Sequence, residues 1–349
     1  MDRAIPAMWM RGGTSKALYF RCEDLPDDIC SRDQLLLKIM GSPDKRQIDG
    51  VGGSDPLTSK VAIISSSEDP EADIDYLFLQ VAVDKAEVSD SQGCGNVLAG
   101  VGPFAIERGL VSAEAAETTT RIRMCNTGKI AEVIVSTPGS KVTYDGDETI
   151  DGVPGTSAAI QIFFSNLAGS NCGSMLPTGN VTDILDGLEC TLIDNGMPCV
   201  IIKASDFDIT GQESPHQLES NAAVKSAIES IRLKAGRIME LGDVTKKTVP
   251  KMTLVSEPLN GGLINTRSFI PHRVHASLGV FAAITVATAC VIPNTVAASF
   301  APLPDGGIYK IEHPSGCTKV RLELDDNGVI GRTGIILTAR KLMDGAVYS

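Results

Sequence analysis

The chain has 349 residues, of which 43% are hydrophobic and 21% charged, the balance of a globular protein too long for one usual core, so two domains are expected. A net charge of −12 argues against nucleic-acid binding, which needs a basic face. Nine cysteines, an odd number without CxxC pairs, argue for reduced thiols and against a disulfide framework or zinc ribbon. Only four histidines are present, and the His272 and His275 pair lacks the acidic residue of a zinc motif, so no metal is expected.

Residues 5–20, IPAMWMRGGTSKALYF, predict a strand, a glycine turn and a second strand. Arg11, Gly12, Gly13, Thr14, Ser15 and Lys16 gather cations, hydroxyls and backbone donors in one short loop. Such a loop either wraps a carboxylate or is a plain hairpin turn with solvated charges. Residues 32–40 carry Leu35, Leu36, Ile39 and Met40 at helical spacing. The stretch 48–64, IDGVGGSDPLTSKVAII, runs from a glycine loop into an apolar strand and lacks the spacing of a Walker phosphate loop. Lys60 stands at the threshold of that strand. There, partial desolvation would lower the pKa of its amine and make it a usable base; the alternative is an edge lysine that snorkels to water.

Residues 76–83 predict a further strand, followed by SQGCGNVLAGVGPFAIERGL at 91–110. Gly93 and Gly95 allow a sharp turn, Asn96 is a favourable N-cap, and Val97, Val101, Phe104 and Ile106 repeat at helical spacing. Cys94 therefore falls at the mouth of a helix beginning near Val97. Unpaired N–H groups and the dipole at such a mouth bind anions and lower the pKa of a thiol. Otherwise Cys94 is a small buried cysteine beside a turn.

Short β-type runs follow at 120–124, 130–136 and 141–144, and DGVPG at 151–155 is placed as the crossing between domains, with 158–164 opening a new strand. The second half predicts strands at 190–193 and 198–203, a helix over 222–241, a strand at 252–256 and a loop-to-helix element at 265–291. Strands at 309–311, 318–324 and 334–339 close the chain. The apolar run 278–292 is too short to span a bilayer and predicts a buried helix. Residues 1–19 hold Arg11 and Lys16 among glycines where a signal peptide would be apolar, so a cytoplasmic location is expected.

The blocks MRGGTSK (10–16), IDGVGGSDPLTSKVAII (48–64), CGNVLAGVGPFAIERGL (94–110), IDGVPGTSA (150–158), IDNGMP (193–198), LGDV (241–244), NTRSFIPHRVHASLGVF (265–281) and EHPSG (312–316) make the chain resemble the PrpF family of cofactor-independent isomerases over essentially its full length. The resemblance implies an α+β, diaminopimelate epimerase-like fold. In it, two similar domains each wrap a curved, mostly antiparallel sheet around a central helix, with the active site in the cleft between them. The first domain would comprise 1–150 plus 335–349 and carry Lys60 and Cys94. The second would comprise 151–334 and carry the loop and helix around 265–281.

The resemblance also implies that the lysine and cysteine of the family site fall on Lys60 and Cys94. Epimerases of this fold use a second cysteine from the other domain, where this chain offers Ala276 and Ser277, so asymmetric chemistry is implied. The activity implied is a 1,3-proton shift that moves a C=C bond in an unsaturated tricarboxylate. The 48–60 and 265–277 blocks are most similar to those of members acting on 4-oxalomesaconate in aromatic compound catabolism. Other members act on 2-methylaconitate, aconitate or methylitaconate, and a non-catalytic tricarboxylate-binding accessory is the alternative from another class.

Carboxylates and developing charge would be met by Arg11, Ser15, Lys16, Gly93, Gly95, Asn96, Arg267, Ser268, His272 and Ser277. The reaction is redox-neutral, so no cofactor and no metal are expected. The expected partners are the small-molecule substrate and further copies of the chain, as a homodimer or higher homo-oligomer, with no nucleic acid and no membrane.

Overall fold

The computed structural model describes residues 4–300, 303–325 and 328–348. The chain divides into two compact units, one formed by Met1–Phe164 with Ile336–Ser349 and the other by Ser165–Ile335. No helix among the described residues is long and apolar enough to cross a membrane.

The first unit contains β1 (Ala4–Gly12), β2 (Ser15–Arg21), α1 (Ile29–Met40), β3 (Lys60–Ser66), β4 (Ile74–Val81), β5 (Val88–Ser89), α2 (Gly95–Glu107), β6 (Glu117–Met124), β7 (Lys129–Ser136) and β8 (Ala159–Phe164). β1 pairs antiparallel with β2, β2 runs parallel to β3, and β3 is antiparallel to β4. β4 then pairs antiparallel with β5 and parallel with β6, and β6, β7 and β8 form an antiparallel meander.

Successive strand residues point to opposite faces, and the alternation sorts this sheet into two cores. On one face Ile5, Ala7, Leu18, Phe20, Val61, Ile63, Leu79 and Val81 pack with Leu36, Ile39 and Met40 of α1. α1 begins at residue 29, earlier than the apolar spacing predicts, because the Asp28 side chain accepts from the Ser31 N–H and caps it. On the other face Met8, Met10, Ala17, Tyr19, Ala62 and Phe78 are buried. Against it lies α2, which packs on β1, β2, β3, β4, β6, β7 and β8. Every residue of α2 from Val97 to Ala105 is buried, as a helix enclosed by a curved sheet requires. Gly100 permits a close approach, since a Cβ there would lie 2.4 Å from the Tyr19 hydroxyl.

The second unit contains β9 (Asp183–Leu185), β10 (Leu188–Asp194), β11 (Pro198–Lys203), α3 (Pro215–Ser220), α4 (Ala222–Ile238), β12 (Lys251–Ser256), β13 (Ile264–Ile270), β14 (Arg273–Val274), α5 (Val280–Val291), β15 (Ile308–His313) and β16 (Gly316–Leu324). β17 (Ile330–Tyr348) starts here beside β16 and ends in the first unit beside β1. β10 and β11 are antiparallel, β11 and β12 parallel, and β12 and β13 antiparallel. One face packs Leu192, Val200, Ile202, Met252, Leu254 and Phe269 against Val224, Ile228, Ile231 and Ala235 of α4. α5, buried from Ala282 to Cys290, packs on β10, β11, β15 and β16.

Two expectations are corrected. The first unit extends through Phe164 instead of ending at 150, because β8 pairs residue for residue with β7 from Ile160↔Val135 to Phe164↔Ala131, and its return begins at Ile336. Residues 141–144 form no strand. Gly139, at φ +64° within a short turn at Pro138–Ser140, turns the chain out of the ladder.

Candidate active site

Lys60 opens β3 with its neighbours fixed on both sides: Ala17 of β2 in the parallel register and Gln80 of β4 in the antiparallel one. Its side chain therefore lies on the α2 face, among Ala17, Tyr19, Phe78 and Gln80. Only 6% of Lys60 is exposed. The Nζ donates to Gln80 Oε1 at 2.7 Å and sits 5.1 Å from the centre of the Phe78 ring. Gln80 is itself held, its Nε2 donating to the carbonyls of Pro56 and Ser59. A lysine this enclosed has one polar partner of its own sheet and an aromatic face, and no carboxylate pairs with it among the described residues.

Cys94, half-buried, is the N-cap of α2, and its carbonyl accepts from Leu98 N–H at 3.0 Å. The helix thus starts two residues before Val97, with Asn96 inside its first turn and not at the cap. Neither Gly93 nor Gly95 adopts a left-handed conformation, so the turn is made without the freedom the two glycines allow. Among the described residues no side chain caps this end, which leaves first-turn N–H groups beside the thiol for an anion.

Two buried phenols fix the carbonyls of that turn. Tyr76 donates to Cys94 O at 3.3 Å and Tyr19 to Val97 O at 2.6 Å. Burial, with Cys94 nearby, pushes both phenols well above their ordinary range, so they stay protonated and act as donors. The loop before Cys94 is pinned by Asn126, whose amide donates to Phe78 O and Asp90 O while its Oδ1 accepts from Phe78 N–H.

The glycine hairpin between β1 and β2 lies against the same turn. Asn96 Nδ2 donates to Thr14 Oγ1 at 3.2 Å, and a Cβ on Gly12 would stand 2.4 Å from Asn96 O. Ser15, opposite Gly12 and on the α2 face, is 1% exposed, and its Oγ has no hydrogen-bond partner among the described residues. Ser15, Lys60 and the tyrosines that meet the Cys94 turn therefore share one face of one sheet.

Arg11 and Lys16, paired with each other across β1 and β2, follow the opposite alternation and lie on the α1 side. Arg11 Nη1 donates to Gly13 O and to the carbonyl and hydroxyl of Thr338, and Nη2 reaches Ser157 Oγ at 3.4 Å. Arg11 ties the hairpin to β17.

In the second unit Arg267 is 5% exposed and bonds Glu213 O, Asn265 Oδ1 and Thr266 O, on the α4 side of the sheet. Ser268, on the α5 face, lies 3.5 Å from Thr253 Oγ1. His272 is exposed and stands 3.9 Å from Glu229 of α4. Ser277 N–H donates to His275 Nδ1 at 3.0 Å. Gln80, Tyr76 and Asn126 are additional polar groups of the first unit's site. Gln80 alone carries a clear sequence signal, an amide inside an apolar strand.

Fold and site together define a class: an α+β protein of two units with repeated strand order, each holding a buried central helix, with a lysine and a helix-mouth thiol on one face of the first. The chain belongs to the PrpF family, matching the PrpF protein description over residues 2–349. It is 58% identical to a (4E)-oxalomesaconate Delta-isomerase of Novosphingobium sp. (strain KA1), covering 100% of this chain and 98% of that one. It is 54% identical to a 4-oxalomesaconate tautomerase of Pseudomonas putida (strain KT2440), covering 98% and 95%. A crystal structure of a methylitaconate-delta-isomerase, 36% identical, superposes with a TM-score of 0.90 over 99% of this chain and 96% of that one.

Proposed function

We propose that this protein is a cofactor-independent isomerase that moves a C=C bond by a 1,3-proton shift in an unsaturated tricarboxylate, with 4-oxalomesaconate as substrate. The observation that carries the mechanism is the sharing of one sheet face by Lys60, Ser15 and the turn that holds Cys94. The names and full-length identity of the two oxalomesaconate relatives support the substrate.

The barrier to such a reaction is the carbanion, so the site must supply both a base and stabilisation of a dienolate. In the neutral form, the Lys60 amine accepts the proton from the carbon next to the carbonyl. Electron density moves into the carbonyl as the C–H bond breaks, and the first-turn N–H groups of α2 and the Ser15 hydroxyl meet the developing negative charge. The Cys94 thiol then gives a proton to the far carbon of the allyl system, and the proton on Lys60 restores the thiol. Atoms and charge balance without an oxidant. The reading includes a cytoplasmic location, which nine cysteines spaced without a paired framework support, and assembly as a homo-oligomer.

Purified protein, offered 4-oxalomesaconate, 2-methylaconitate, aconitate and methylitaconate in turn, tests the reading by ultraviolet absorbance. The expected result is turnover preferring 4-oxalomesaconate, with solvent deuterium entering product at the carbon that gains the proton. Preference for another of the acids corrects the substrate, and binding without turnover or deuterium uptake overturns the enzyme reading in favour of an accessory.

A further inference from the structure

Lys60 follows a residue that two glutamine side chains hold in place. Ser59, fully buried, accepts from Gln47 Nε2 on its hydroxyl at 2.7 Å and from Gln80 Nε2 on its carbonyl at 2.9 Å. Gln47 is buried in turn, its Oε1 accepting from Ser54 N–H and its Nε2 donating also to Ser42 Oγ. Gln80 stands opposite Lys60 in the antiparallel ladder of β3 and β4, and its Nε2 also reaches the Pro56 carbonyl at 3.0 Å.

Both protons of the Gln80 amide are therefore committed to carbonyls that precede β3, and this decides which way the amide faces. Turned over, its oxygen would meet two carbonyl oxygens. As it stands, Oε1 is left for Lys60 Nζ, at 2.7 Å.

We propose that Gln80 is a positioning residue for proton transfer at Lys60: its locked, uncharged amide oxygen takes one N–H of the amine, turns the lone pair away from β4 and leaves the amine able to lose and regain its proton; this rests on the function proposed above.

A neutral amine has two N–H bonds and one lone pair, so an N–H spent on Oε1 sends the lone pair elsewhere. The Phe78 ring, its centre 5.1 Å from Nζ, lies along a second side. What remains is an amine aimed by its own sheet, as a base must be before substrate arrives. The amide also suits the chemistry better than a carboxylate would. An amide oxygen accepts from amine and ammonium alike, whereas an opposite charge at hydrogen-bond distance favours the ammonium. The titratable groups around this face are Tyr19 of β2, Tyr76 of β4 and Cys94 at the mouth of α2, with Asp55 in the turn before β3 and Asp90 after β5. Both phenols stay protonated, and the Asp55 carboxylate accepts from Leu57 N–H in its own turn. Arg11 and Lys16 lie on the opposite side of the sheet.

Two substitutions separate aiming and charge from mere support of the turn. In protein carrying [ε-13C]lysine and no substrate, the Lys60 resonance, assigned by its loss in Lys60→Met, reports protonation of the amine directly. Gln80→Glu, nearly the same shape, is expected to raise the pH at which that resonance titrates by about one unit or more. The acid limb of kcat/KM for 4-oxalomesaconate should move upward with it, because the base must be neutral to act. Gln80→Met removes the acceptor and adds no charge. It should lower kcat about tenfold or more with KM within about threefold of wild type, and titrate at no higher pH than wild type. Ser59 O keeps the Val81 N–H as a donor in both variants, which preserves the start of β3. A role confined to bracing the turn would cost both variants stability and shift the titration upward in neither. Equal titrations of Lys60 in wild type and Gln80→Glu overturn the proposal, as does a kcat of Gln80→Met within about threefold of wild type. A wild type that turns over none of the unsaturated acids overturns the assigned reaction instead, and the resonance titration then still decides whether Gln80 governs the proton on Lys60.

Discussion

Replacing Lys60 by methionine separates the role of the amine from that of its stem. The unbranched methionine side chain fills the same path along the Phe78 ring and removes only the polar end, which now rests 2.7 Å from Gln80 Oε1. Gln80 stays in place, since its Nε2 still donates to Pro56 O and Ser59 O, but its Oε1 loses its donor. A buried acceptor left unsatisfied costs about 1–3 kcal/mol, partly offset because the polar end of Lys60 no longer has to be desolvated. A net loss of about 1 kcal/mol lowers the melting temperature of a unit this size by roughly 2–4 °C. Turnover responds on a different scale: loss of a positioned base costs about 10²–10⁴-fold in rate. The assay is absorbance-monitored turnover of 4-oxalomesaconate together with deuterium uptake by nuclear magnetic resonance. Both should fall by that factor in a protein that still melts cooperatively within a few degrees of wild type. A kcat/KM within about threefold of wild type would show that the amine at position 60 moves no proton, and the mechanism would fail.

Gly12→Ala pushes a Cβ to 2.4 Å from the Asn96 carbonyl, a backbone atom of the α2 first turn that cannot step aside. The hairpin must lift off α2, costing about 1–3 kcal/mol, measurable by urea unfolding; unchanged stability would refute the packing. Cys94→Ser keeps a side chain well suited to the N-cap, so stability should hold or rise slightly while kcat falls about tenfold or more, because an alcohol is a far weaker acid than a thiol. Full activity in both Cys94→Ser and Cys94→Ala would remove the thiol from proton transfer. His275 has a folded pKa below its ordinary 6.5, through burial and then Lys251, so its neutral form is the one the fold accommodates. The unfolded chain binds the proton more readily. Its contribution is therefore complete above pH 6.5 and is lost as pH falls from there toward the lower folded value. Stability of wild type measured across that interval should decline more steeply than that of His275→Gln, and parallel slopes would exclude the linkage.

What could be read from the sequence was whatever one strand or one helix decides by itself. The apolar run of α2 and the lysine at the threshold of β3 needed only local periodicity, and both stand where the pattern predicts. Which face a residue takes depends on pairing partners far along the chain. Arg11 and Lys16 have the right chemistry for a carboxylate, yet strand parity turns them to the α1 side, and Thr338, more than three hundred residues away, engages the guanidinium. The same parity puts Ser15 on the α2 face. Long-range pairing also decides the surroundings of Arg267, bonded to the carbonyl of Glu213, and of His272, at the surface near Glu229. Gln80 was visible only as a polar residue in an apolar strand, since nothing local says that its partner is twenty residues upstream. The cap of α2 moved from Asn96 to Cys94 because Asn96 spends its amide on Thr14, a contact with the opposite end of the unit's sequence.

The repeated strand order sharpens why the two halves differ chemically. A lysine opens the third main strand of each unit, so the position itself is common to both, and what distinguishes them is what surrounds the amine. Lys60 has an amide partner and an aromatic face, and a thiol forms the cap of the helix its sheet encloses. Lys251 has a neutral buried thiol in its own sheet, a neutral imidazole beside it, and a glycine at the cap of its helix. A racemase that works on one carbon from two sides needs an acid or base of the same kind in each half. A 1,3-shift needs its proton chemistry at two carbons and a fixed grip on the carboxylates. The base and the thiol both stand in the first unit, which suits the second task and not the first, so exchanging Gly279 for cysteine should create no racemase.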